Sequence, residues 1–393
     1  FRGRYLEHIL LQSILQFFKH KDLRIRILWT LLLLTAFRLI SHIPIPGVDL
    51  TKLQELFTQN QFLGVMDIFS GGSLSNLSIA LMGVAPYINA SIIIQLMTMA
   101  VPAFEALQKE GDYGRRKLNQ YTRWLTVPLA ILQSYGMISL LQKSEFPVFG
   151  EMGIYRLLVI LLTVTAGTVL VMWLGELISE YGIGNGISLI IFLGIVARLP
   201  QLLSDTAATF STGQLGRLLA FAALAIFTIY CVVYITEGQR NIPISYAGRV
   251  SSNRFMAGIT SNLPLKINQA GVIPIIFALS ILVFPGMLAS LFMNARSQWL
   301  LAGAEFVKKL FENQWVYGVV YFLLVIFFTY FYTWVIFKPV NVAENLQKSG
   351  GFIPGIRPGK QTIDFLSYIS NRVTLAGSIF LALIAVLPLV VQA

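Results

Sequence analysis

Between Gly350 and Thr362 the chain reads G-G-F-I-P-G-I-R-P-G-K-Q-T, a polar loop that offers two cations, Arg357 and Lys360, inside a frame of Gly355, Pro358 and Gly359. Proline fixes φ and glycine permits positive φ, so such a frame can hold an arginine in one defined non-helical position. The chemistry this provides is charge-based docking of a partner. The same residues also suit a tight loop whose prolines merely redirect the chain, and composition alone leaves both readings standing.

Residues able to catalyse are sparse elsewhere. His8, His20 and His42 are scattered, so no His/His/Glu metal set and no H-E-x-x-H forms. The single cysteine, Cys231, can make neither an internal disulfide nor a multi-cysteine metal site. Serines are common, but no apolar stretch pairs one with a histidine or lysine base. The glycines of G-I-G-N-G, Gly182 to Gly186, imitate a phosphate loop, yet no lysine follows them and they open an apolar segment. Acidic groups are nearly absent from the apolar stretches: Glu176 and Glu180 fall at a stretch end and Asp67 in a short connecting piece. An ion-coupled transporter usually keeps such groups at the membrane midplane. The pattern favours a passive conduit or a transporter over an enzyme, and calls for no metal and no cofactor.

The elements that must position these residues are membrane helices. Of 393 residues 56% are hydrophobic and only 12% are charged, and mean hydropathy is +0.71; soluble domains carry about 25% charged residues. Apolar stretches near the ~20 residues needed to cross a bilayer recur at about 27–44, 79–101, 124–142, 154–174, 183–199, 217–236, 270–293, 316–337 and 373–391. No cleavable signal peptide is expected, because the N-terminus is charged and amphipathic. Leu6, Ile9, Leu10, Ile14, Leu15, Phe17 and Phe18 make residues 1–26 read as a cytoplasmic amphipathic segment lying on the inner surface.

Charge supplies the orientation. With the N-terminus inside, the inner loops collect most of the 29 Lys and Arg residues, among them Arg115, Arg116, Lys117, Arg240, Arg249, Arg254, Arg357 and Lys360. The net charge of +11 is thus a topology signal before it is a nucleic-acid signal. The inner loop at 237–268 contains N-I-P-I-S-Y, Asn241 to Tyr246, alternating like a hairpin strand, and Arg249 and Arg254 lie beyond its turn. It reads either as a second cytoplasmic projection or as a solvated loop. The outer loop at 45–78 carries an apolar piece, Gly64 to Phe69, ended by S-G-G-S. That piece is too short to span but could fold back into the protein.

Three apolar stretches contain a break. The second has Pro86, the fifth begins at the glycines of 182–186 and the seventh has Pro274. A proline inside a helix frees a carbonyl and bends the rod. Beside the breaks stand branched aliphatics, Val84 with Ile88 and Ile187 with Ile191, each pair four apart and so on one helix face. Isoleucine is ordinary in membrane helices, and the pattern allows either pore lining or plain packing.

Longer motifs then identify a family. The runs S-H-I-P-I-P-G at 41–47, F-S-G-G at 69–72, A-P-Y-I-N-A-S-I-I-I-Q at 85–95, E-G-D-Y-G-R-R-K at 110–117, G-I-G-N-G-I-S at 182–188, L-P-L-K-I-N-Q-A-G-V-I-P at 263–274 and K-S-G-G-F-I-P-G-I-R-P-G at 348–359 resemble SecY, the large pore-forming subunit of the bacterial-type Sec translocase. The resemblance runs from about Lys21 to the last residue. It implies an all-α polytopic membrane protein whose two inverted pseudo-repeat halves, 27–205 and 206–393, surround an hourglass pore. A tenth span and a basic tail belong to the family pattern and would follow the nine stretches found here.

By motif position the resemblance implies a pore ring of Val84, Ile88, Ile187, Ile191 and Ile276. It implies a plug at about 61–73 that includes Asp67, Ile68, Phe69, Ser70, Gly71 and Gly72, and a lateral gate with Gln95, Ser188, Ser280 and Phe284. Arg240, Arg249, Arg254, Arg357 and Lys360, in the loops 237–268 and 339–372, become docking positions for a SecA motor or a translating ribosome. The implied function is a protein-conducting channel that passes unfolded polypeptides and releases signal sequences and membrane helices sideways into lipid. Small SecE-like and SecG-like subunits, signal peptides, nascent chains and the bilayer are its partners. A plasma (inner) membrane location with a cytoplasmic N-terminus follows, with the thylakoid as the other setting. A greasy deformable ring suits that task, since it seals around any side chain and dewets when empty. A secondary transporter of a small solute, with an ion-coupled midplane site, and an insertase or scaffold without a continuous pore are the competing classes.

Overall fold

The computed structural model describes residues 20–45, 70, 72–142, 153–208, 215–246, 260–292, 301–303, 305–306 and 314–392. The amphipathic pattern up to Phe18, the plug positions Asp67, Ile68, Phe69 and Gly71, and the docking positions Arg249 and Arg254 lie outside the described residues. The chain divides into two compact units, one of Phe1–Thr209 with Met287–Ala304 and one of Phe210–Gly286 with Glu305–Ala393.

The first unit contains α1 (Lys21–Ile40), α2 (Ala85–Ala100), α3 (Pro102–Lys109), α4 (Asp112–Gln142), α5 (Ile154–Tyr181), α6 (Gly186–Val196) and α7 (Leu199–Ala208). Helix α4 packs against α2, α3 and α5, while α5 also packs against α1 and α6. Phe37, Leu77, Met137, Ile138, Leu141 and Ile178 are almost fully buried in its core. The α2–α3 pair turns by 100° at Val101, because Pro102 can open a helix but cannot continue the one before it.

The second unit contains α8 (Leu215–Glu237), β1 (Gln239–Tyr246), β2 (Thr260–Lys266), most of α9 (Ile273–Phe292), α10 (Gln314–Ile336), α11 (Pro339–Lys348), β3 (Gly351–Phe352) and α12 (Lys360–Gln392). Helix α12 packs along α10 and α11. Among the described residues the regular structure is helical apart from one antiparallel sheet of order β2-β1-β3. The alternation of N-I-P-I-S-Y is realised as β1, which turns Ile242 and Ile244 into the core. The third strand had no sequence signal, being only two residues long.

Among the described residues five helices are long and apolar enough to cross a membrane, or six if α2 and α3 count as one broken span. Helix α6 and the first part of α9 are shorter apolar helices.

The breaks differ from the expectation in one respect. Pro86 and Pro274 do not kink helix interiors. Each lies one residue past the start of its helix, in a first turn whose N–H groups have no intrahelical partner anyway. Residues 79–84 are accordingly a series of turns. Prolines inside helices occur instead at Pro128, Pro285 and Pro388.

Candidate functional site

In the second unit the sheet and two helix ends form a small folded platform. Ile242, Leu265, Ala343, Ile353, Leu366 and Ile369 make its buried core, with Phe337, Ile356 and Ile363 packed against it. The Arg357 loop grows from this core. Ile353 is buried at its base, and the Ile356 N–H donates to the Ile353 carbonyl at 3.1 Å. Gly355 and Gly359 have φ of +82° and +102°, values open to glycine at little cost. The Thr362 hydroxyl donates to the Arg357 carbonyl at 2.9 Å and fixes the backbone there. The Arg357 side chain is exposed.

Lys360 is the first residue of α12 and not part of the loop, so the helix starts earlier than the apolar stretch suggested. A cation at a helix N-terminus opposes the macrodipole by about 0.3–1 kcal/mol. Arg240 is exposed on β1 beside its pairing partner Leu265. It lies five residues, or about 17 Å of extended strand, from Ser245, where β3 pairs. The hairpin and the Arg357 loop therefore hold separate cations on one rigid base.

The ring positions fall at the starts of three helices. Val84 is the N-cap of α2 and Ile88 lies one turn on, its N–H donating to the Val84 carbonyl at 3.0 Å; both are buried. Ile187 and Ile191 occupy the first two turns of α6 and are half-buried. Ile276 is the fourth residue of α9 and is also half-buried. The α6 start is capped by Asn185, whose Oδ1 accepts the Ser188 N–H at 3.1 Å.

Of the plug positions, Ser70 and Gly72 are described. Ser70 is buried and its Oγ accepts the Leu74 N–H at 3.0 Å. Gly72 adopts φ +81°, and a Cβ there would approach Arg38 Nη1 to 3.3 Å and Arg198 Nε to 3.6 Å. Arg198 Nη2 donates to Ser75 Oγ at 2.7 Å. A bridge at Pro44 and Ser78 joins the two ends of the 45–78 connection, with Ile45 N–H to Leu77 O at 2.8 Å and Ile79 N–H to Ile43 O at 3.0 Å. Gly167 on α5 lets this base approach, since a Cβ there would run into the Ile79 carbonyl. Arg38 and Arg198, which lie beside Gly72, were not singled out from the sequence. A charge inside the first apolar stretch was the available signal for Arg38; Arg198, which ends the fifth stretch, gave none.

The gate positions are distributed between the units. Gln95 on α2 is half-buried, with its carbonyl accepting from the Thr98 hydroxyl at 2.7 Å. Ser188 is exposed on α6, and Ser280 is half-buried on α9, which also carries Phe284. The described residues contain no group of three or more His, Cys, Asp or Glu that could hold a metal ion.

The SecY family profile matches residues 78–393. The protein translocase subunit SecY of Corynebacterium glutamicum is 42% identical over 96% of this chain and 88% of its own length. That of Streptomyces galbus is 42% identical over 94% and 87%. In fold the chain is similar to a solved protein-conducting channel, with TM-score 0.58 and 15% identity over 94% of this chain and 90% of that one. It is also similar to a SecY whose plug domain stabilises the closed state and maintains a membrane seal, with TM-score 0.60 and 17% identity over 92% and 86%. The yeast Ssh1 complex bound to the yeast 80S ribosome gives TM-score 0.62 and 16% identity over 93% and 84%. With a profile match across most of its length and relatives at this identity, the chain belongs to the SecY family.

Proposed function

We propose that this protein is the protein-conducting channel of a Sec translocase, passing unfolded polypeptides across the membrane and releasing apolar helices sideways into lipid. The observation that carries this reading is the family match over residues 78–393. It is a multi-pass membrane protein, and its place is the plasma (inner) membrane with the N-terminus in the cytoplasm.

Val84, Ile88, Ile187, Ile191 and Ile276 form the constriction. What supports this is their common position in the first turns of helices that begin at a proline or glycine break. An aliphatic ring offers water few hydrogen bonds, so it stays dry at rest, yet it yields around any passing side chain. Asp67 to Gly72 close the outer side as a plug. Gln95, Ser188, Ser280 and Phe284 line the exit to lipid, where a signal peptide partitions by transfer free energy. The channel is not itself an enzyme, and a partner supplies the energy. A SecA-like motor or a translating ribosome docks on Arg240, Arg249, Arg254, Arg357 and Lys360, and SecE-like and SecG-like subunits complete the complex.

The test is reconstitution in vesicles with the small subunits and a motor ATPase. Import of a precursor that depends on ATP and on its signal sequence is expected. Uptake of a small solute driven by an ion gradient, without polypeptide import, would replace this reading with a transporter.

A further inference from the structure

We infer that one turn of α5, Gly175 to Ser179, with its ion pair to Arg123, is the joint that sets where α2 and α6 stand relative to each other. This rests on the proposal that these two helices carry four of the constriction residues, because it explains how their starts are held in place.

Two neighbouring residues of α5 reach in two directions. Gly175 receives α6. A Cβ at Gly175 would run into Ile187 Cδ1, and a Cβ at Gly186 would run into the Gly175 carbonyl. The Ser179 hydroxyl completes this seat by donating to the Gly175 carbonyl at 2.9 Å and accepting the Gly186 N–H at 2.8 Å. The start of α6, including the constriction residue Ile187, is thereby keyed to one turn of α5 by close backbone approach and one inter-helix hydrogen bond, whose acceptor is itself oriented within α5.

Glu176, the next residue, reaches towards α4. Its Oε1 accepts from Arg123 Nε at 2.6 Å, and the Glu176 side chain is only 19% exposed. Helix α4 packs along α2. Tyr87, the neighbour of constriction residue Ile88, lies within electrostatic reach of both Glu176 and Arg123. A shift of α5 at this turn therefore moves the seat of Ile187 and, through the Arg123 ion pair, α4 and the α2 helix packed along it. A charge-assisted contact between neighbouring helices suits such a joint, since it is directional while apolar helix packing in lipid is not. Arg123 and Glu176 are positioning residues and touch no polypeptide substrate in this scheme.

The test uses the complete channel complex in vesicles. Cys231 is replaced by serine, and spin labels are placed at Ile93 on α2 and Ile195 on α6, both exposed. Arg123→Glu, Glu176→Arg, the reciprocal double swap and the milder Glu176→Gln are compared for the α2–α6 label distance and for resting ion leak. Each single charge reversal is expected to shift the distance distribution and to raise leak about tenfold, the factor that follows from ~1.4 kcal/mol in a closed–open equilibrium. The double swap should restore both, and Glu176→Gln should shift both less. An unchanged distance in the single variants, Glu176→Gln included should a reversal not fold, overturns the joint. So does a double swap that fails to restore the distance. A restored shift in distance without any change in leak leaves the joint standing and removes the constriction reading instead.

Discussion

The Thr362 hydroxyl holds the Arg357 carbonyl at 2.9 Å, tying the tip of the Gly350–Gly359 loop to the first turn of α12. The loop is anchored below by buried Ile353 and bent by positive-φ glycines at 355 and 359. Arg357 is presented by a frame and not by a flexible strand of chain.

Arg357→Glu should abolish motor-driven export while leaving membrane insertion and assembly intact. Reversing a charge at a docking position costs on the order of 2–5 kcal/mol of binding. Thr362→Val keeps the shape and removes one hydrogen bond worth about 1 kcal/mol, so export should fall only partly. Precursor import into vesicles measures both, and normal import by Arg357→Glu would return the loop to a structural role.

Gly355→Ala places a Cβ at φ +82°, where nothing lies within 4 Å of it. The cost is backbone strain of about 1–2 kcal/mol and no steric clash. Motor affinity should weaken several-fold, with thermal unfolding of the membrane helices unchanged. A drop in the unfolding temperature of the whole protein would show that the loop is coupled to the bundle.

Ile191→Asn should wet the constriction, raise resting ion leak and permit export of precursors with defective signal sequences. The matched control is Leu162→Asn on α5, which is 66% exposed. Equal leak from Ile191→Asn and Leu162→Asn would mean general destabilisation, and not ring chemistry, opens the channel.

Ser75→Ala removes the 2.7 Å partner of Arg198 at the base of the outer loop. A hydrogen bond to a charged donor contributes about 1.5–3 kcal/mol. Plug release should become easier, read as longer open bursts in single-channel recordings. Unchanged burst lengths would show that the Arg198–Ser75 hydrogen bond does not hold the plug.

Cysteines at Thr58 and Lys360 should react with an impermeant reagent from opposite faces of the membrane, the latter from the cytoplasmic side. Labelling from one face would refute the orientation drawn from the Lys and Arg distribution.

Composition was enough to determine a multi-pass helical membrane protein, because lipid admits few alternatives and each span carries its own signal. The motifs around Pro86, Gly182 and Arg357 were local enough to identify the family. Even the β1 hairpin strand was legible, since two-residue alternation is written along one segment. Tertiary structure decided what local pattern cannot encode. It turned Pro86 and Pro274 from kinks into helix starts, because the turns before them are held by packing, as with Ile79 against Gly167. It started α12 at Lys360, well before the apolar stretch, because Leu366 and Ile369 are buried in the platform and not in lipid. It also paired Arg123 with Glu176 across 53 positions and brought Arg198 to Ser75 across 123. Such contacts depend on how helices and the turns between them settle together in space, and a polar residue at a span end carries no mark of the partner it will meet.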